Sequence, residues 1–301
     1  MATARALTFE RVAKLPTWFG IGGGADRVAR PASVEDLVAC LESDPGLKVL
    51  GDGANLLVDD DGVSELVVVL DQPAFRSVER DGNRMLVGAG LKLPKLINDT
   101  VRDGLSGLEG LGGVPATIGG AAIMNAGGAY GQFADAVAAI HAIDRQGRVL
   151  RLAREQVPFS YRHSGLSDVI VTAVELNLKP ADPVRLREFH LEVMARKKAS
   201  QPLSSNSAGC VFKNPTLARP IEGIADAGVR VSAGMLIDRA GCKGMRVGGA
   251  EVSHSHANFI TTDRDATAGH VIDLMDQVRA RVFDTFGVTL EPEIAIWKRK
   301  P

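Results

Sequence analysis

The chain of 301 residues is poor in cysteine, with only Cys40, Cys210 and Cys242. An odd number without a C-x-x-C pair builds neither a disulfide framework nor a zinc site, so free thiols are expected. Charge of one sign is also missing: 35 Lys and Arg stand against 36 Asp and Glu, a net of −1. That balance argues against a polyanion-binding surface and against nucleic acid as a partner. No run approaches the ~20 apolar residues that span a bilayer, so a membrane-embedded protein is excluded. The opening MATARALTFERVAK lacks the apolar core and small-residue cleavage site of a secretory leader, which gives the expectation of a cytoplasmic protein. There is no repeat at a fixed spacing, and hence no solenoid. At roughly 100–200 residues per domain, two domains are expected.

Glycine is what the sequence has in excess. Its 33 residues are about 11% of the chain, against a usual ~7%. They cluster at 20–24, 51–53, 104–131, 209 and 241–249. Glycine excess without proline excess or low complexity points to main chain lying close to something, often a phosphate-bearing ligand.

The element pattern is α+β. Ser33 with Asp36 three residues on starts a helix in SVEDLVACLES. LKVL at 47–50, ELVVVL at 65–70 and RMLVGAG at 84–90 read as strands, and LPKLINDTVRDGL as an amphipathic helix ended by Gly104. AIHAIDRQGRVLRL reads as two strands joined by a Gln-Gly turn, and VIVTAVELNL as a long strand. DPVRLREFHLEVMARKKAS is a charged helix joining the halves of the protein. A helix over Ala266–Phe286 and a closing strand VTLEPEIAIW complete the chain.

Several segments carry candidate chemistry. Gly20-x-Gly22-x-x-Ala25 formally matches the dinucleotide fingerprint, but KLPTWF before it is no buried strand, so the motif fails on context. Gly51-Asp-Gly-Ala-Asn-Leu-Leu-Val58 directly follows the strand LKVL, and its N–H groups, with the Asn55 amide, suit an anion. Leu108–Gly131 holds eight glycines in 24 positions, and its only charge is Glu109. It is too apolar for a linker and too glycine-rich for a regular helix, so it reads as buried main chain around a ligand, with a small-residue core as the rival reading. Two such loops can bind a pyrophosphate without a lysine. Arg162 sits in the polar turn Ser160-Tyr-Arg-His-Ser164, beside one of only two tyrosines, and the residues alone leave it undecided between a solvated charge and a functional one. Cys210 reads as a small buried hydrophobe or, at an ordinary thiol pKa near 8.5, as a proton donor. Glu293 lies in the terminal strand, where a solvated edge is the plain alternative. His254 and His256 would share one strand face, but with no third ligand they make no convincing metal site.

Taken in order, PTWFGIGG, LGDGANLLV, LEGLGGVPATIGGAAIMNAGGAYG, SYRHS, AGCVFKNP, AGMLIDRAGCKG, SHSHANFI and EPEI resemble the MurB family of UDP-N-acetylenolpyruvoylglucosamine reductases, flavoenzymes of bacterial cell-wall (peptidoglycan) precursor synthesis. The resemblance runs over almost the entire chain. It implies an FAD-binding part of two α+β subdomains, similar to the vanillyl-alcohol-oxidase type, plus a C-terminal α+β substrate domain. The corresponding spans are 1–70, with the terminal strand 291–301 returning to it, then 71–182, and 195–290 for substrate. Because only Asp182–Ala199 connects the halves, the chain looks like the shorter subclass.

The resemblance also implies site residues. FAD would be bound by Gly51, Asp52, Gly53, Ala54, Asn55 and Leu56 and, from the second loop, by Val114, Pro115, Ala116, Thr117, Gly119, Gly120, Asn125 and Gly127. Ala54 stands where the family commonly has Ser, and Ala116 where it commonly has Gly. The family reaction reduces an enolpyruvyl ether in two halves: NADPH reduces FAD, and hydride then passes to the substrate's β-carbon. Arg162 matches the catalytic arginine, Cys210 the proton donor that many members supply as serine, and Glu293 the acidic partner. Lys198 and Asn214 match positions that bind the substrate's nucleotide part, with Tyr130 and Tyr161 as further contacts. The expected partner is a nucleotide-sugar, the expected state a monomer, and no metal is implied. The rivals are an FAD-dependent oxidase or dehydrogenase acting on another substrate, and a catalytically idle nucleotide-binding protein.

Overall fold

The computed structural model describes residues 8–300, which fall into two units with separate apolar cores. The first holds 8–12, 25–52 and 64–197; the second holds 13–24, 53–63 and 198–300.

In the first unit, Ser33 caps the helix Val34–Ser43 by accepting the Asp36 N–H, and Leu37, Cys40 and Leu41 are its buried residues. Beside it lies a four-stranded sheet in the order Glu10–Val12, Ala25–Ala29, Val67–Val69, Lys48–Leu50. Its last two pairings are parallel, which suits the unbroken valine run at 67–69. The second sheet is antiparallel, in the order Val149–Ala153, Val137–Asp144, Val169–Asn177, Arg84–Gly88, Val78–Asp81. Its Gln-Gly turn forms as expected: Gly147 has φ +79°, and Asp144 accepts the N–H groups of Gln146 and Arg148. The helix Leu93–Arg102 is followed by Gly104 at φ +69°.

The glycine-rich segment departs from expectation. It contains a short helix, Ile118–Ile123, started by Thr117, whose hydroxyl accepts the Gly120 N–H. Glycine suits the close packing of this helix on a strand end: a Cβ on Gly119 would lie in tight contact, 3.1 Å from the Ala89 Cβ. Much of 113–120 is half-buried rather than enclosed.

In the second unit, the helix Ala268–Phe286 packs its buried side chains into one core with the helix Ala233–Arg239 and the antiparallel strands Arg246–Val247, Ala250–Val252 and Ile260–Thr262. Asp60 accepts the N–H groups of Ala268 and Gly269 at 2.8 and 3.0 Å, supplying the long helix with an anionic cap from a distant segment. Phe19, Ile21 and Leu57 belong to this second core. Residues 13–24 and 53–63 therefore cluster with the C-terminal chain, while the resemblance groups 1–70 together. The closing strand is shorter than expected, Ala295–Trp297, and pairs in parallel with Leu56–Val58. Before Ile294 the chain has a different partner: Phe212 bridges Pro292, with Lys213 N–H to Glu291 O at 2.9 Å and Glu293 N–H to Val211 O at 2.8 Å. Pro292 fits because that register asks it for no N–H.

Among the described residues no helix is long and apolar enough to cross a membrane.

Candidate functional site

In the first unit the strand Lys48–Leu50 delivers Gly51 and Asp52 against the second loop. A Cβ on Gly51 would sit 2.9 Å from Thr117 Oγ1, so glycine permits the approach. Lys92, absent from the expected site, joins the same two places. Its ammonium pairs with Asp52, its main chain bridges Thr117, and Leu93 N–H donates to Ala116 O at 2.8 Å. The loops thus have a lysine after all, one whose charge Asp52 offsets.

Asn125 is 1% exposed with φ +41°, a left-handed conformation that asparagine tolerates better than most residues. Its Nδ2 donates to Gln132 Oε1 at 2.9 Å and to Ser160 O at 2.8 Å, and its Oδ1 accepts the Ala134 N–H at 3.1 Å. The amide expected to face a cofactor has both donors committed within the protein, and it ties the glycine-rich loop to the turn that carries Arg162. Ser164 adds a second tie through its hydroxyl to Ile123 O at 2.7 Å. The turn closes by reciprocal main-chain bonds between Ser160 and His163. At its tip Arg162 has φ +54°, a strained conformation for arginine and the kind of strain found at functional sites. Its guanidinium lies 5.1 Å from the Tyr161 ring centroid, within cation–π range. Tyr130 is pinned to the long connecting helix, accepting from Arg196 at 2.8 Å with its ring edge-on to Phe189.

In the second unit Gly53 has φ +67°, and a Cβ there would lie 2.2 Å from Pro16 O; Trp18 N–H donates to Gly53 O at 3.0 Å. The Asn55 amide, expected to face an anion, instead donates to Glu293 O at 3.1 Å, and Asn55 O accepts the Ala295 N–H at 3.0 Å. Among the described residues no acceptor takes the main-chain N–H groups of Gly53, Ala54 and Asn55, nor, in the first unit, those of Ala116 and Thr117. Unspent neutral donors on a partly buried loop suit the phosphates of a dinucleotide.

Cys210 follows Gly209, whose φ is +75°, and bridges Phe259. The main-chain pairing of 211–213 with 291–293 brings the Cys210 and Glu293 segments together. Asn214 Oδ1 accepts the Ala233 N–H at 2.9 Å, at the start of the Ala233–Arg239 helix. Lys198 is exposed in the last turn of Pro183–Ser200. The other thiols are inert: Cys40 and Cys242 are fully buried, and burial, with Asp36 nearby, pushes the Cys40 pKa up to about 11.

His254 and His256 do not share a strand face, because both lie in the turn between Ala250–Val252 and Ile260–Thr262. His254 is exposed, 3.3 Å from Glu251, while His256 packs edge-on to Phe259. Burial, with Lys243 adding to it, lowers the His256 pKa. A neutral ring suits the Asn258 N–H that donates to His256 Nδ1 at 3.3 Å. Asn258 itself was missed by sequence reasoning; an amide between Ala257 and Phe259 in an apolar setting was the available signal.

Residues 201–297 match the family described as UDP-N-acetylenolpyruvoylglucosamine reductase, C-terminal domain, and residues 25–153 match the FAD binding domain. The UDP-N-acetylenolpyruvoylglucosamine reductase of Moorella thermoacetica is 41% identical over 298 residues, covering 97% of this chain and 93% of its own. That of Paramagnetospirillum magneticum is 39% identical over 282 residues, covering 92% of this chain and 87% of its own. The crystal structure of UDP-N-acetylenolpyruvylglucosamine reductase (MurB) from Thermus caldophilus has a TM-score of 0.83 at 39% identity, covering 97% of this chain and all of that one.

Proposed function

The chain belongs to the UDP-N-acetylenolpyruvoylglucosamine reductase (MurB) family, and from that membership we infer that it reduces the enolpyruvyl ether of UDP-N-acetylglucosamine to UDP-N-acetylmuramate, using NADPH through FAD, in peptidoglycan precursor synthesis. The observation that best supports this reading is that each unit, taken by itself, carries unspent neutral N–H donors suited to phosphate, at Gly53, Ala54 and Asn55 in the second and at Ala116 and Thr117 in the first.

FAD, when bound, supplies hydride to the β-carbon of the enolpyruvyl double bond. The protein's share is to handle the charge that results. Hydride addition leaves negative charge on the α-carbon and its carboxylate, and the Arg162 guanidinium would hold both by charge-assisted hydrogen bonds. The Cys210 thiol would then give its proton to the α-carbon. That completes addition of a hydride and a proton across the double bond and leaves a thiolate to be reprotonated from water. Glu293 would serve as the acidic partner of this pair. Lys198 and Asn214, with Tyr130 and Tyr161, would bind the nucleotide part. We take the protein to work as a cytoplasmic monomer.

The test begins with colour. Purified protein should show an oxidised-flavin band at about 450 nm, bleach when mixed anaerobically with NADPH, and regain its colour when the enolpyruvyl substrate is added. Cys210→Ala should leave bleaching nearly intact while slowing recovery, because the proton is needed only in the second half. Recovery with oxygen but not with the enolpyruvyl substrate would refute the assignment.

A further inference from the structure

Asn258 is 2% exposed, and most of its hydrogen-bonding capacity goes to one neighbouring segment. Its Oδ1 accepts the Phe212 N–H at 3.0 Å, its Nδ2 donates to Phe212 O at 2.8 Å, and its own carbonyl accepts the Val211 N–H at 2.9 Å. A primary amide carries a donor and an acceptor in the arrangement of a peptide group, so the side chain acts as a strand partner for Phe212. The segment needs one. Residues 207–213 form no extended strand; their main chain meets its neighbours through isolated bridges, Cys210 to Phe259 and Phe212 to Pro292, while Ala208, Val211 and Phe212 are buried in the second core. Gly209, at φ +75° with open space around its Cβ position, leaves the chain free to turn just before Cys210. The main chain at Val211 and Phe212 follows directly on Cys210, so where it is held bears on where the thiol points.

We propose that Asn258 is a positioning residue for the reduction, clamping Val211 and Phe212 so that Cys210 is held where it delivers its proton. The proposal rests on Cys210 being the proton donor. Aspartate cannot replace Asn258, since it would keep the bond to the Phe212 N–H but turn a second oxygen toward the Phe212 carbonyl and bury an unpaired charge.

The experiment uses FAD-loaded enzyme and anaerobic stopped-flow measurement of each half-reaction, in the wild type, Asn258→Ala, Cys210→Ala and the double variant. Displacing a reacting group by about 1 Å costs up to about 100-fold in rate. Asn258→Ala should therefore slow reoxidation of reduced flavin by the enolpyruvyl substrate by about 10- to 100-fold, with the rate of flavin reduction by NADPH within about twofold of wild type. The double variant should be no slower than Cys210→Ala alone, because a clamp acting through the thiol has nothing left to position. If Asn258→Ala fails to retain FAD, Asn258→Ser, which keeps a neutral hydroxyl at the buried position, carries the same test. Equal slowing of both half-reactions, or a full Asn258 effect in the Cys210→Ala background, overturns the proposal while leaving Cys210 in place. Reoxidation of Cys210→Ala at the wild-type rate overturns the reading of Cys210 and the clamp with it.

Discussion

Gly53→Ala should damage both folding and cofactor binding, and its cost follows from local geometry. The residue has φ +67°, and the added Cβ would lie 2.2 Å from Pro16 O and 3.0 Å from Thr17 Cα. The left-handed conformation alone costs an alanine about 1–2 kcal/mol. The contact with Pro16 cannot be relieved by a side-chain rotation, because the obstructing atoms are main chain. Residues 16–18 must shift, which weakens the Trp18 N–H bond to Gly53 O, worth about 1 kcal/mol. The sum is about 2–3 kcal/mol. Gly82 is the control, with φ +60° and nothing within 4 Å of its Cβ position, so Gly82→Ala pays only the conformational part, the same about 1–2 kcal/mol. At roughly 2–4 °C per kcal/mol the two variants should melt about 2–4 °C apart. Flavin titration should also separate them. Shifting the N–H groups of 53–55 by even half of that free energy weakens FAD about tenfold, whereas Gly82→Ala should bind FAD as the wild type does. Gly53→Ala that melts within about 1 °C of Gly82→Ala and binds FAD as tightly would refute the role given to this close approach.

Arg162→Lys should lose most of the substrate half-reaction, because an ammonium cannot reproduce a bidentate grip on a carboxylate; near-normal turnover would remove Arg162 from the chemistry. Asn125→Asp keeps an acceptor for the Ala134 N–H but loses the donors to Ser160 O and Gln132 Oε1 and sets a buried carboxylate oxygen against both, so denaturant unfolding should show a loss of more than about 2 kcal/mol. Asn125→Ala loses all three bonds and also resists the positive φ, and a loss under about 1 kcal/mol in both variants would contradict the clamp. Glu175 has its pKa lowered to about 2, chiefly by its bond to Arg151 and then by His141. Its folded value lies below the ordinary 4.5 of a glutamate, so the stability it contributes is complete above about pH 4.5 and is lost as the pH falls toward 2. Glu175→Gln should flatten the acid limb of the stability profile in that window, and an unchanged slope would show the pair to be ineffective.

Local features were legible in the sequence because each rests on one residue's own chemistry. The Ser33 cap, the Gln-Gly turn, the valine run at 67–69 and the stop at Gly104 all formed where the residue types required them. The glycine loops were legible as places of close approach, and Gly51 and Gly53 bear that out with positions a Cβ would fill. What periodicity does not encode is the choice of partner. The last strand pairs with 211–213 before Ile294 and with Leu56–Val58 after it, and nothing in VTLEPEIAIW marks the change except a proline that tolerates it. Residues 13–24 carry a formal dinucleotide fingerprint, yet they put Phe19 and Ile21 into the second core, because burial of large apolar side chains outweighs a glycine spacing with no strand in front of it. The asparagines show the limit most clearly. In MNAGG and HANFI they read as polar interruptions, but a buried amide without partners costs at least 1–3 kcal/mol. An asparagine set among small and apolar neighbours therefore announces that some main chain must come to meet it. The sequence states that demand at 125 and 258, and only the fold reveals that the chain answering it is the turn of Arg162 in one case and the segment of Cys210 in the other.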